Sequence, residues 1–171
     1  MTDAVIIREA KPEDAAAYLS LYERINSETN FMLLEAGELQ VSAADQAQYF
    51  QQSASAGSGV TMLAEAESQL VGLAFARRNF GRRQAHSLYI GIGVLQAWVG
   101  QGIGRQMMLA IERCALSRAF HRLDLIVHVR NERAIALYES LGYEHEGVRR
   151  HGFKINGEYV DLLCMAKLIG A

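Results

Sequence analysis

The sequence predicts a mixed α/β (α+β) fold, one domain over residues 1–171 with about seven strands and about four helices. Three observations carry this reading. The chain has 171 residues, half of them hydrophobic. That length fits one domain and can bury roughly 70% of the unfolded surface without a disulfide or metal staple. Apolar spacing switches between helical and strand periods several times. Turn signals separate the segments, the clearest being Asn156-Gly157, a strong hairpin dipeptide.

Val5-Ile6-Ile7-Arg8 reads as a first strand. Lys11-Pro12-Glu13-Asp14 places proline and acids where a helix start accepts them, and a helix runs over Ala15–Ile25 with Leu19 and Tyr22 on one face. Asn26–Gln40 lacks a clear period and reads as loop. Ser42 caps a second helix, with Asp45 at the third helical position, and Ser53–Gly59 is a turn-rich connection. Val60–Glu65 and Leu70–Arg77 form a hairpin around Glu67-Ser68-Gln69. After a turn at Phe80-Gly81-Arg82-Arg83, His86–Leu95 is the next strand. Gly100–Gly104 opens a long helix in which Met107, Met108, Ile111, Cys114 and Ala115 recur at helical spacing through about Ala119. Leu123–Val129 alternates as a strand, and the helix Glu132–Ser140 closes at Leu141-Gly142. Strands Tyr143–Lys154 and Tyr159–Leu168 flank the last turn. This order, βα α βββ α β α ββ, lacks the strict alternation of a doubly wound dinucleotide fold.

Seventeen basic against nineteen acidic residues give a formal charge of −2, which argues against a nucleic-acid partner. Cys114 and Cys164 stand far apart without metal-ligand spacing, so no metal is expected and a reducing, cytoplasmic setting is. The N-terminus, with Asp3, Arg8, Glu9 and Lys11, does not read as a signal peptide. The sequence lacks an apolar run of membrane-spanning length, so no membrane partner is expected.

Gly100, Gly102 and Gly104 lie between a strand and a helix. Stripped of side chains, such a turn can aim successive N–H groups at a phosphate beside the positive end of the helix dipole. The same glycines would also permit close packing of helix on sheet. A Walker loop is excluded because Ile103-Gly104-Arg105-Gln106 stands where Gly-Lys-Ser/Thr is needed, and Arg105 occupies the third glycine position of a Rossmann fingerprint.

Two segments in this order resemble the GNAT superfamily of acyl-CoA-dependent N-acyltransferases. Val94 through Met108 is similar to the family's strand–loop–helix, with Gly102 and Gly104 in its paired-glycine core. Asn131-Glu132-Arg133-Ala134-Ile135-Ala136-Leu137-Tyr138 and the following Glu139 to Tyr143 nearly match its Asn-x-x-Ala-x-x-Leu-Tyr block. Val99 departs from the usual Gln or Arg three residues before the paired glycines. Glu146 to Arg150, Asn156 to Asp161 and Met165-Ala166 resemble a bacterial branch that includes L-amino-acid and polyamine N-acetyltransferases.

The resemblance implies a mostly antiparallel sheet, acetyl-CoA as co-substrate and a primary amine of a small molecule as acceptor. It implies that Ile92, Gly93 and Val94 meet the acetyl and pantetheine groups. Val99, Gly100, Gln101, Gly102, Ile103, Gly104 and Arg105 would form the pyrophosphate turn. Tyr138 takes the general-acid place; read from its residues alone, it is more simply the buried tyrosine of an amphipathic helix. Asn131 either caps its helix or reaches the pantetheine arm.

The strand His86–Ile92 carries no carboxylate to act as base. His86 reads as a surface residue or a weak candidate base, and Tyr89 could orient a water. That absence favours an α-amine over a polyamine, because an α-amine has a pKa of about 8 against roughly 10.4. Phe31 and Met32, with Leu33, offer an apolar wall for the acceptor, while Glu28, Glu35 and Glu38 would instead attract a cation. Arg77, Arg78, Arg82 and Arg83 read most simply as a solvated turn, though one could hold a substrate carboxylate. His121, His128, His145 and His151 read as structural or surface. The favoured acceptor is an amino acid or related metabolite. The alternatives are a protein N-terminal or lysine acetyltransferase and a non-catalytic CoA-binding module. The final hairpin offers sheet edges, and the resemblance, to a family in which dimers are common, implies a homodimer.

Overall fold

The computed structural model describes residues 4–170. Met1, Thr2, Asp3 and Ala171 of the expected 1–171 domain, including the Asp3 charge, lie outside the described residues. The chain runs β1 (Ile6–Glu9), α1 (Ala15–Glu28), α2 (Ala43–Ala56), β2 (Gly59–Ala66), β3 (Gln69–Arg78) and β4 (Ser87–Val94). It continues through α3 (Ile103–Ser117), β5 (Arg122–His128), α4 (Glu132–Ser140), β6 (Glu144–Ile155) and β7 (Glu158–Leu168). Seven strands form one sheet in the order β1-β2-β3-β4-β5-β7-β6, and only the β4–β5 pair is parallel. The mixed, mostly antiparallel class and the element order agree with the sequence reading.

Local chemistry explains most boundaries. Glu67 and Ser68 both have positive φ (51° and 60°), as do Asn156 and Gly157 (50° and 87°). Two-residue turns with this sense match the twist of the strands they join, so each fixes its hairpin register. Ser42 caps α2 by accepting the Asp45 N–H at 3.1 Å. Three boundaries differ from expectation. α1 continues through Asn26–Glu28, where the Glu28 carboxylate accepts the Gln96 N–H at 2.7 Å and lies 3.4 Å from Arg24. α2 includes Ser53–Ala56 because Ser55 returns its hydroxyl to Gln51 O at 2.8 Å, and the first left-handed residue is Gly57. α3 starts only at Ile103, leaving Gly100 and Gly102 outside the helix.

The sheet is covered on both faces. A Cβ on Gly93 would come within 2.9 Å of Ile25 in α1, whereas one on Gly72 would lie 3.1 Å from Met107 in α3. Gly72 pairs with Val94, so these glycines belong to opposite faces of the pleat. Between the layers Leu63, Leu73, Leu88, Leu123, Ile103, Met107, Met108 and Ile111 are almost wholly inaccessible. Among the described residues, no helix is long and apolar enough to cross a membrane, and no group of three His, Cys, Asp or Glu is placed to hold a metal.

One break in this sheet positions the site. β4 and β5 pair only from Ser87–Tyr89 to Arg122–Asp124. Beyond that, β4 follows β3 to Val94 and β5 follows β7 to His128. Their facing edges separate into a wedge with main-chain groups left open on both sides.

Candidate active site

The wedge widens into a cavity of about 930 Å³ lined by α1, α2, β3, β4, β5, α4 and the turn entering α3. At the α3 end, Gly100 (φ +85°) and Gly102 (φ +78°) hold left-handed backbone with open space around each. Their need for glycine is conformational, since an L side chain is strained there. Gly104 differs: a Cβ there would meet Leu137 at 3.2 Å, so it lets α3 approach α4. The packing reading of the glycine pattern therefore applies to Gly104, whereas Gly100 and Gly102 are required by backbone conformation.

The first bond back into α3 runs from Gln106 N to Gly102 O at 3.1 Å. The N–H groups of Ile103, Gly104 and Arg105 therefore have no partner inside the helix and sit at its positive end. Arg105 donates to Ser140 Oγ at 3.1 Å, which tethers its guanidinium beside α4. Val99 lines the cavity without a polar side chain. Gln101 departs from expectation: it is not among the lining residues, and its amide donates to Ala97 O at 3.4 Å. The two left-handed glycines flanking it turn its side chain out of the wall.

Ile92, Gly93 and Val94 line the middle of the cavity along the free edge of β4. Across from them stands Tyr138 of α4, 5% exposed yet part of the wall. Burial pushes its phenol well above the usual range, so it remains a neutral hydroxyl. The neighbouring Tyr143 ring lies 5.9 Å away, and its buried hydroxyl has no hydrogen-bond partner. Asn131 accepts the Ala134 N–H at 3.3 Å as the cap of α4 and also lines the cavity.

His128 had no assigned role beyond structure or surface, but it closes β5 inside this wall, 5% exposed. Its Nδ1 accepts the Arg130 N–H at 3.0 Å. An amide cannot accept in return, so a neutral ring carries its proton on Nε2 and presents a donor. Burial, with Arg130 nearby, holds its pKa below the ordinary histidine value. The Phe31 ring meets it edge-on at 5.1 Å.

At the opposite end Phe31, Met32 and Tyr89 all line the cavity, with Leu33, Leu34 and Leu39. Burial also raises the Tyr89 phenol. Glu28, Glu35 and Glu38 do not line it; the carboxylates of Glu28 and Glu38 accept the main-chain N–H groups of Gln96 and Glu35 instead. The acids in the wall are Asp45, which receives the Ser42 hydroxyl at 2.6 Å, and Glu132. His86 stands outside the wall beside His121. Arg77, most simply a solvated residue, lies in the wall together with Gln46, Tyr22 and Tyr49. Sequence reasoning missed Gln46 altogether, and its only local signal is a polar residue on the inner face of an amphipathic helix.

Comparison with known proteins agrees with this geometry. The Acetyltransferase (GNAT) family matches residues 18–143. The L-amino acid N-acetyltransferase AaaT of Escherichia coli is 36% identical over 87 residues, covering 50% of this chain and 54% of that protein. The chain thus matches about half the length of this curated relative. An acetyltransferase of the GNAT family from Streptococcus pneumoniae superposes with a TM-score of 0.93 at 26% identity, covering 98% of this chain and 100% of that one. A phosphinothricin acetyltransferase from Sinorhizobium meliloti, solved in complex with acetyl-CoA, shares the fold with a TM-score of 0.84 at 20% identity, covering 99% and 90%.

Proposed function

The chain belongs to the acetyltransferase (GNAT) family, and from that premise we propose that it transfers an acetyl group from acetyl-CoA to the primary amine of a small molecule, an amino acid or a related metabolite. One observation carries the reading. The left-handed Gly100 and Gly102 and the free N–H groups of α3 lead along the open edge of β4 to the Tyr138 hydroxyl within one cavity.

Acetyl-CoA supplies an activated thioester, and the chain's own groups do the rest. The amides of Ile103, Gly104 and Arg105 fit a diphosphate by charge and direction. The edge of β4 at Ile92–Val94 offers main-chain donors that polarise a carbonyl more strongly as negative charge develops on it. Tyr138 gives a hydroxyl proton, or a hydrogen bond, to the departing sulfur, and the proton that the attacking nitrogen sheds on forming the amide restores the phenol or goes to solvent. Burial makes that phenol a weaker acid than a free one, so its part is donation rather than supply of a phenolate. The acceptor amine must arrive neutral. A peptide α-amine, of pKa about 8, is roughly one-quarter neutral at pH 7.5, whereas the adjacent carboxylate of a free amino acid raises its amine above that and leaves a smaller neutral fraction, still larger than that of a polyamine. Phe31, Met32 and Leu33 exclude water and hold the acceptor's apolar part.

The direct test follows free thiol with acetyl-CoA and a panel of amino acids, simple amines, polyamines and short peptides, with N-acetyl product confirmed by mass. Product from amino acids supports the reading. Product only from peptide or protein amines moves the acceptor to that class, and coenzyme binding without product leaves a CoA-binding module. A homodimer and a cytoplasmic setting belong to the same proposal. β6 is an edge strand with Val148 54% exposed, and light scattering reads the mass directly.

A further inference from the structure

The end of the cavity remote from Gly100–Arg105 holds polar groups that the transfer chemistry leaves unused. Arg77 pairs across the sheet with Tyr89. Its guanidinium lies over the Phe75 ring at 4.6 Å and the Tyr49 ring at 5.2 Å. Among the described residues it enters no ion pair. Stacking on aromatic rings occupies the faces of a guanidinium; one N–H lies toward the Tyr18 hydroxyl, and with five N–H donors the group keeps others for a planar acceptor. Gln46 of α2 lines the same wall at 6% exposure, and its buried Nε2 has no hydrogen-bond partner. The two ends of a side-chain amide exchange by a half-turn about its last torsion, so Gln46 can present either to the cavity. Buried amides are nearly always satisfied, so an orphan that shares a cavity wall with a cation outside these ion pairs suits a ligand that both could bind.

We propose that Arg77 and Gln46 form a carboxylate-binding subsite, so that the acceptor carries an acid group as well as its amine; this rests on the acetyl-transfer reading above. A carboxylate takes two parallel bonds from a guanidinium edge and a further one from an amide. A polyamine would instead set an ammonium against Arg77, so the same residue selects against that class. Asp45, in the same wall, is already engaged by the Ser42 hydroxyl. Spacing adds a constraint. Tyr89 precedes Ile92 by three residues, roughly 10 Å of strand, and Phe75 brings the guanidinium back toward its register partner Gly91. Both a free α-carboxylate and an acid one residue or side chain further on share the required chemistry.

The experiment compares L-methionine, methionine amide, 3-(methylthio)propylamine, L-glutamate and the dipeptide Met-Asp as acceptors for wild type, Arg77→Met, Arg77→Lys and Gln46→Leu. Wild type should prefer an acid-bearing acceptor over its uncharged counterpart by about 30-fold in kcat/KM. The arm showing that preference tells an α-carboxylate from a more distant one. Arg77→Met should lower kcat/KM on acid-bearing acceptors about 30-fold through KM, with at least tenfold less effect on the propylamine and acetyl-CoA KM within twofold. Arg77→Lys should recover part of the loss, and Gln46→Leu should cost about threefold to tenfold on the same acceptors. Equal losses on acid and uncharged amines, or no wild-type preference, would overturn the subsite while leaving acetyl transfer intact. No product from any amine with wild type would overturn the transfer reading and this inference with it. Far-ultraviolet spectra and melting of each variant identify a folding defect, and Arg77→Lys, which keeps stem and charge, then decides.

Discussion

At the α3 end of the cavity the polar groups without an intrahelical partner are the main-chain amides of Ile103–Arg105, whereas the α1–α2 end is lined by side chains of Phe31, Gln46 and Arg77 drawn from three separate segments. The first end is built by backbone conformation, and Val99, which lacks a side-chain donor, leaves its amides in place. The second end depends on which side chain each helix and strand delivers. Tyr138 and His128 stand between them, buried and each with a polar atom to offer. The contrast predicts that coenzyme and acceptor binding fail separately under mutation.

The largest effect is expected between the two ends. Tyr138→Phe should lower kcat by about 10²- to 10⁴-fold while acetyl-CoA KM stays within about threefold. A shift in KM with kcat retained would show Tyr138 to be a packing residue. Next come paired variants that set the ends against each other. Gly102→Val forces a β-branched residue into left-handed backbone, a strain of about 1–2 kcal/mol, and should raise acetyl-CoA KM about tenfold. Phe31→Ala should raise acceptor KM about tenfold and leave acetyl-CoA KM within about twofold, since it removes apolar contact at the other end. Initial-rate matrices in both substrates read both parameters, and parallel changes would erase the distinction.

Asn131→Ala should cost about 1 kcal/mol in urea unfolding by removing the α4 cap, with Asn131→Asp near wild type. A loss of coenzyme affinity in Asn131→Asp at unchanged stability would reveal a second role for that amide. The smallest expected effect is a pH dependence of stability. His128 has a folded-state pKa below its unfolded value of about 6.5, so the unfolded chain binds more protons as the solution is acidified. Its stabilising contribution is present above about pH 6.5 and is lost as pH falls toward and below the folded value. His128→Gln should flatten that part of the curve, and an unchanged slope would place the titration elsewhere.

Legibility followed the same divide. The Asn131–Gly142 segment and the Gly100–Arg105 turn were readable because each works within a dozen consecutive residues, where spacing translates directly into geometry. Within that readable turn Gln101 still faced the wrong way, because its direction depends on left-handed φ at both neighbours. His128 read as bland because its neighbours in sequence say nothing of Phe31, which the fold brings to 5.1 Å. Glu28 looked like a free cation trap, but it anchors Gln96 across 68 positions of sequence.

By itself, then, the sequence determined the order of strands and helices, both tight hairpin turns, the Asn131 cap of α4 and the glycine-rich turn before α3. All of these are local consequences of backbone preference and apolar period. Only the tertiary structure decided that β4 and β5 part company after Tyr89 and Asp124, and that Gln46, Arg77, Phe31 and His128 share the space this opens. Such groupings arise from packing α1 and α2 on one face of a wedge-shaped sheet, and packing joins residues that no short-range pattern connects.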